Sequence, residues 1–158
     1  MNFLRCLNLI SSIFLISMNG FTQEAVTDTL PRNTFFAEFN LNQNIDFYTI
    51  LYDRILKPKG KFKIGIQAGL SISTEIEKAE KGFTTYFPIK GYFLLGKQRH
   101  FFEPGFGFKI SDLPYPEFNI GYRFKPIDNG LSFRAGYIGM AFFGGFENMI
   151  SLSAGYTF

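Results

Sequence analysis

Residues 62–73 read FKIGIQAGLSIS, and every second position is apolar: Phe62, Ile64, Ile66, Ala68, Leu70 and Ile72. Between them stand Lys63, Gly65, Gln67, Gly69, Ser71 and Ser73. A period of two is the signature of an extended chain, whose successive side chains point to opposite faces. The stretch is therefore a β-strand with one greasy and one small or polar face. The pattern alone does not say which face meets water.

The same alternation recurs on both sides of this stretch. Eight segments carry it: 34–42, 45–56, 61–73, 83–96, 100–110, 115–125, 131–142 and 148–158. They are separated by turn signals or polar runs: NQN, KPKG, TEIEKAEK, GKQR, SDLP, PIDNG and FFGGFE. Each segment is close to the 9–11 residues of a tilted membrane strand, and the number is even. No helical 3.6-residue pattern competes with it beyond residue 22. The expected fold is all-β, an eight-stranded antiparallel up-and-down transmembrane β-barrel.

Side-chain bulk decides the facing. A soluble barrel has an apolar lumen and a wet exterior, and a membrane barrel has these reversed. The apolar faces carry Phe35, Phe39, Tyr48, Tyr52, Phe62, Phe87, Phe93, Phe102, Phe106, Phe108, Phe118, Tyr122, Phe124, Phe133, Tyr137, Tyr156 and Phe158. The lumen of eight strands is just wide enough for ordinary side chains and cannot hold these rings as well as the aliphatics. The rings belong outside. The opposite faces suit a narrow lumen: Gly65, Gly69, Gly105, Gly107, Gly121, Gly136 and Gly155 leave room, beside Ser132, Ser151, Ser153 and Thr157. Glu38, Asp53, Lys63, Lys90, Glu103, Lys109, Arg123 and Arg134 would fill that room as a mixed-sign ion network plugging the barrel. Pro88 and Pro104 interrupt this scheme mid-strand and are expected at bulges or near the rim.

The 158 residues suffice for one domain, with 22 Phe, 8 Tyr and 16 Gly. A formal charge of +3 is too slight and dispersed for a nucleic-acid partner. Residues 1–22 have the build of a signal peptide: Arg5, then an apolar run over 7–18, then small and polar residues. Residues 23–32 read as a flexible leader and 33–158 as the barrel. Cys6, the only cysteine, falls in the signal segment and too early for a lipoprotein box. Thiol and disulfide chemistry are then not expected of the processed chain.

The last segment, NMISLSAGYTF, alternates Ile150, Leu152, Ala154, Tyr156 and Phe158 up to a terminal aromatic residue. With GYRF (121–124) and FKIGIQAG (62–69), it makes residues 33–158 resemble the small eight-stranded outer-membrane β-barrel proteins of Gram-negative bacteria, many of them uncharacterised. The resemblance implies that the barrel-assembly machinery reads those five residues as an insertion signal. It also implies that both chain ends lie in the periplasm, which puts Tyr52, Tyr122 and Tyr156 in a periplasmic aromatic belt. The external loops are shorter than those of barrels that act as adhesins or receptors.

Little in the chain points to catalysis. A hydrolase needs His placed against Ser and an acid, and the sole histidine, His100, stands at a turn beside Arg99. Glu38 and Glu103 are a formal acid–base pair, but carboxylates beside Lys and Arg serve as counter-ions. One His and no Cys after the signal segment exclude the usual zinc sets. GFGF and GYIG lack the helix that a phosphate loop requires. The expectation is a monomeric, non-enzymatic outer-membrane barrel without cofactor or metal, its role structural or in contact with lipid or a partner. Two alternatives remain: a soluble periplasmic lipocalin-like binder of an apolar ligand, and a barrel enzyme acting on outer-leaflet lipid.

Overall fold

The computed structural model describes residues 30–42, 45–57, 62–75, 83–142 and 145–158. The expected signal segment, residues 1–22, and residues 23–29 of the expected leader lie outside them. Eight strands run β1 (Asn33–Leu41), β2 (Ile45–Lys57), β3 (Phe62–Glu75), β4 (Phe83–Lys97), β5 (His100–Ile110), β6 (Pro114–Phe124), β7 (Gly130–Phe142) and β8 (Gly145–Thr157). Each pairs antiparallel with its sequence neighbour, and β8 returns to β1 to close the barrel. The all-β, up-and-down expectation holds, with strand bounds within three residues of the sequence segments. Among the described residues no helix is long and apolar enough to cross a membrane, which says nothing of strands.

Closure leaves no unpaired sheet edge. The seam pairs Thr34 with Thr157, Ala37 with Ala154 and Leu41 with Ile150. Asn33 and Phe158 lie at one end with the β4–β5 and β6–β7 connections, here called the turn end; the opposite end is the loop end. The β4–β5 hairpin has a two-residue turn between the paired Lys97 and His100, and its first residue, Gln98, adopts a left-handed φ of 56°. Both features belong to the tight turns that match strand twist.

All seventeen rings assigned to the apolar face lie on the outer wall. Fourteen are exposed, and Tyr52, Phe102 and Phe124 are part-buried by neighbours. The inner face follows the complementary parity. There Gly65 is needed for space: a Cβ at this position would fall on the Tyr92 ring. At Gly155 a Cβ would meet the Phe35 carbonyl oxygen and then the Phe36 ring. Gly65→Ala is therefore expected to displace Tyr92 and cost about 2 kcal/mol by overpacking, read as a lowered urea midpoint.

The prolines are a correction. Pro88 pairs with Lys109 and Pro104 with Ile120, and neither shifts the register. Pairing lapses only on the side where each N–H is missing, between Ala68–Ile89 and Ser71–Tyr86 and between Tyr92–Gly105 and Leu95–Phe102, and resumes at the same offset. An antiparallel residue directs its N–H to one neighbour only, so proline costs one bond on one flank and leaves the other intact. The irregularity that does occur lies between Ile55 and Lys57 in the β2–β3 pairing.

Candidate functional site

The lumen is stacked in three layers. At the turn end Leu30, Ile55, Tyr92, Leu94 and Phe101 form an apolar cluster. Leu30 belongs to the leader; it is buried there, while the adjoining Arg32 carbonyl accepts a bond from the Ile55 N–H at 2.8 Å. At the loop end Phe47, Tyr86, Ile138, Met140 and Met149 form a second cluster, flanked by Ile45, Tyr115 and Phe142. Between the two lie the charges.

Alternation turns Asp53, Arg123, Glu103, Arg134, Glu38, Lys90 and Lys109 inward from six strands, and all are buried. They join into one chain of alternating sign. Arg123 donates from both terminal nitrogens to the Asp53 carboxylate, at 3.3 and 3.0 Å, and from Nε to Glu103. Arg134 donates to Glu103 at 3.4 Å and to Glu38 at 2.7 Å. Lys90 lies 3.7 Å from Glu38 and 2.9 Å from Glu117, and Lys109 reaches Glu117 at 3.5 Å. Gln67 donates to Asp53 at 3.0 Å, and Ser153 donates to Glu38 at 3.3 Å. The eighth residue assigned to the network, Lys63, is also buried, its ammonium 5.1 Å from the centre of the Phe101 ring.

Two lumen charges are additions to the sequence reading. Glu117 directly precedes the outward Phe118, and Lys125 follows Arg123 by two, so strand parity was sufficient to find both. Lys125 donates to the Thr34 hydroxyl at 2.6 Å and to Thr157 at 3.3 Å, close to the β1–β8 seam. Ser132 and Thr157 share a further bond of 2.6 Å.

The lumen also holds rings that the sequence reading assigned to neither face. Phe36, Phe47, Tyr86, Tyr92 and Phe101 are buried within it. Four of the five face a cation. Arg123 lies over Phe36 and Tyr92 at 5.3 and 4.5 Å, and Arg134 over Phe36 at 4.1 Å. Lys109 lies over Phe47 at 3.7 Å, beside the Lys63–Phe101 contact already given. A ring face attracts a desolvated cation, so these aromatics help to hold the positive members of the network.

The remaining assigned residues lie on the outer wall. Ile150, Leu152, Ala154 and Tyr156 face outward along β8, and Phe158 stacks on Phe35 at 5.8 Å. Tyr52, Tyr122 and Tyr156 share the turn end; Tyr52 donates to Asn33 at 2.8 Å, and the Tyr122 hydroxyl meets His100 Nδ1 at 2.5 Å. His100 is thus exposed on the outer wall, on the opposite face from Glu38 and Glu103. Among the described residues no group of three or more His, Cys, Asp or Glu is placed to hold a metal. No family model matches the chain, nor does any curated protein or solved structure.

Proposed function

We propose that this chain is an integral outer-membrane barrel whose side-chain-filled lumen makes it a structural or lipid- and partner-contacting element of the envelope rather than a pore or an enzyme. One observation carries this reading, the inverted polarity of the wall. Among the described residues thirty large apolar side chains stand exposed, while acids and bases fill the axis. In water such a surface would be an aggregation site many times larger than a tolerated apolar patch.

The outer wall also has the right height. On β8 the outward residues run Phe146, Asn148, Ile150, Leu152, Ala154 and Tyr156, with no charge among them. The one amide in the series, Asn148, accepts from the Tyr137 hydroxyl. At about 3.4 Å per residue and a tilt of about 40°, this span rises about 25 Å, the thickness of an outer-membrane apolar band. Among the described residues, charged side chains on the outer wall occur only near its ends: Asp46 at the loop end, and Arg54, Lys57 and Lys97 at the turn end.

A soluble binder of an apolar ligand needs the reverse arrangement, and a charged axis gives such a ligand no greasy cavity. The enzyme alternative lacks a partnered histidine: His100 is bonded to a tyrosine, not set against a serine and an acid. In this proposal the β8 series ending at Phe158 is what the barrel-assembly machinery reads, and the barrel works as a monomer in lipid.

Fractionation combined with an unboiled gel tests the reading. The protein is expected to sediment with membranes, to resist alkaline extraction, and to run as a compact species that boiling converts to a slower one. Recovery as a folded monomer in detergent-free buffer would overturn the proposal.

A further inference from the structure

Among the described residues, the charges outside the lumen are sorted by end. At the turn end the exposed charged side chains are Arg32, Arg54, Lys57, Lys97 and Arg99, against one exposed acid, Asp128. The cations occupy the flank from β1 to the start of β5; Asp128 is in the β6–β7 connection. At the loop end the described charged side chains are acids: Asp46 and Asp112 outside the lumen, and Glu147 on the inward face of β8. Glu147 is already engaged, accepting from Asn42 at 2.5 Å. The five basic residues of the turn end form no ion pair among the described residues.

Two of these cations adjoin the aromatic belt. Arg54 is exposed on the outward face between Tyr52 and Leu56, a position from which a long side chain can cover apolar wall and still carry its charge to water. Arg99 adjoins His100, whose ring is bonded to Tyr122 and packs edge-on to Phe124 at 5.6 Å. Tyrosines near this end with cations beside them match the layering of a bilayer boundary, where rings lie at the glycerol depth and bases at the phosphates. A guanidinium also binds phosphate oxygens in a fork, which water-exposed lysine alone does not do.

We infer that the turn end is a binding surface for anionic phospholipid, with Arg54, Lys97 and Arg99 as its centre and phosphodiester headgroups as its ligands. The inference rests on the membrane reading above and deepens it, because it assigns the barrel a lipid preference and a preferred side. The β1–β5 flank gathers anionic lipid, and the Asp128 flank does not.

The test reconstitutes the protein in vesicles of phosphatidylcholine alone and of phosphatidylcholine with a third of phosphatidylglycerol. Spin-labelled versions of both lipids report which one is immobilised against the barrel. The protein is expected to fold in both vesicles and to retain phosphatidylglycerol roughly threefold over phosphatidylcholine at low salt. Molar sodium chloride should bring the ratio close to unity, because screening then acts within about 3 Å. The variant R54Q/K97Q/R99Q should lose the preference while keeping its heat-sensitive gel shift.

Failure to fold in either vesicle would overturn the membrane reading itself. Folding in both with equal retention of the two lipids would overturn this inference and leave that reading intact. A preference unchanged in the triple variant would overturn the assignment of these residues, and the salt series on the unaltered protein decides the matter if the variant does not fold. Inorganic phosphate and sodium chloride at matched ionic strength are expected to act alike. Selective loss in phosphate would make the turn end a free-anion site and overturn the lipid assignment.

Discussion

Replacing Arg123 by alanine is expected to lower the unfolding free energy by about 3–5 kcal/mol, a loss set by the buried carboxylates it leaves behind. Arg123 is fully buried and bridges Asp53 on β2 to Glu103 on β5 while lying against Phe36 and Tyr92. β2 and β6 stand opposite each other in a ring of eight, so the Arg123–Asp53 contact crosses the lumen. Without it two carboxylates share Gln67 as a donor, which reaches them at 3.0 and 3.5 Å. Glu103→Ala should act in the same direction but less strongly, because Arg123 keeps Asp53 and Arg134 keeps Glu38. The combined change D53N/E103Q/R123M removes the charges together and is expected to cost less than Arg123→Ala alone. Arg123→Lys should fall between, since an ammonium cannot fork to one carboxylate and still reach another. Urea unfolding followed by far-ultraviolet circular dichroism gives the four values. A loss below about 1 kcal/mol for Arg123→Ala would mean that water, not the neighbouring carboxylates, solvates this group.

The strands were legible in the sequence because alternation is a local property, written into every pair of residues. β8 shows where it fades: it starts at Gly145 rather than at residue 148, because Asn148 occupies an outward position and breaks the apolar rhythm. The lumen rings show a signal that was present and passed over. Phe36, Phe47, Tyr86, Tyr92 and Phe101 each sit beside an outward ring, namely Phe35, Tyr48, Phe87, Phe93 and Phe102. An aromatic doublet in a strand of period two must place one ring on each side. Counting only the outward set hid the inner one.

Which lumen charges meet is a different matter. Arg123 and Asp53 are 70 residues apart in sequence, and Arg134 and Glu38 are 96 apart. Their contacts depend on the stagger and diameter of the closed sheet, which no local pattern contains. Parity marks a residue as inward; only closure gives it a partner.

Adjacent positions on β8 separate the two environments by experiment. Leu152 faces outward, paired with Phe39 on one side and Ala135 on the other, near the middle of the span from Phe146 to Tyr156. Leu152→Arg is expected to cost about 2–4 kcal/mol in vesicles, the depth-dependent penalty for a cation near the bilayer midplane. Ser153 points inward, donating to Glu38 and accepting from Arg134 Nε at 3.2 Å. Ser153→Arg adds a guanidinium beside Arg134 in a filled lumen, and is expected to cost more than about 3 kcal/mol through crowding and like charge, in vesicles and in micelles alike. The solvent dependence is what discriminates. The Leu152 penalty should fall in short-chain micelles, which deform around a charge, whereas the Ser153 penalty should not. On a water-facing wall Leu152→Arg would stay within about 0.5 kcal/mol in either medium, so an unchanged urea midpoint in vesicles would place hydrocarbon elsewhere than on this face.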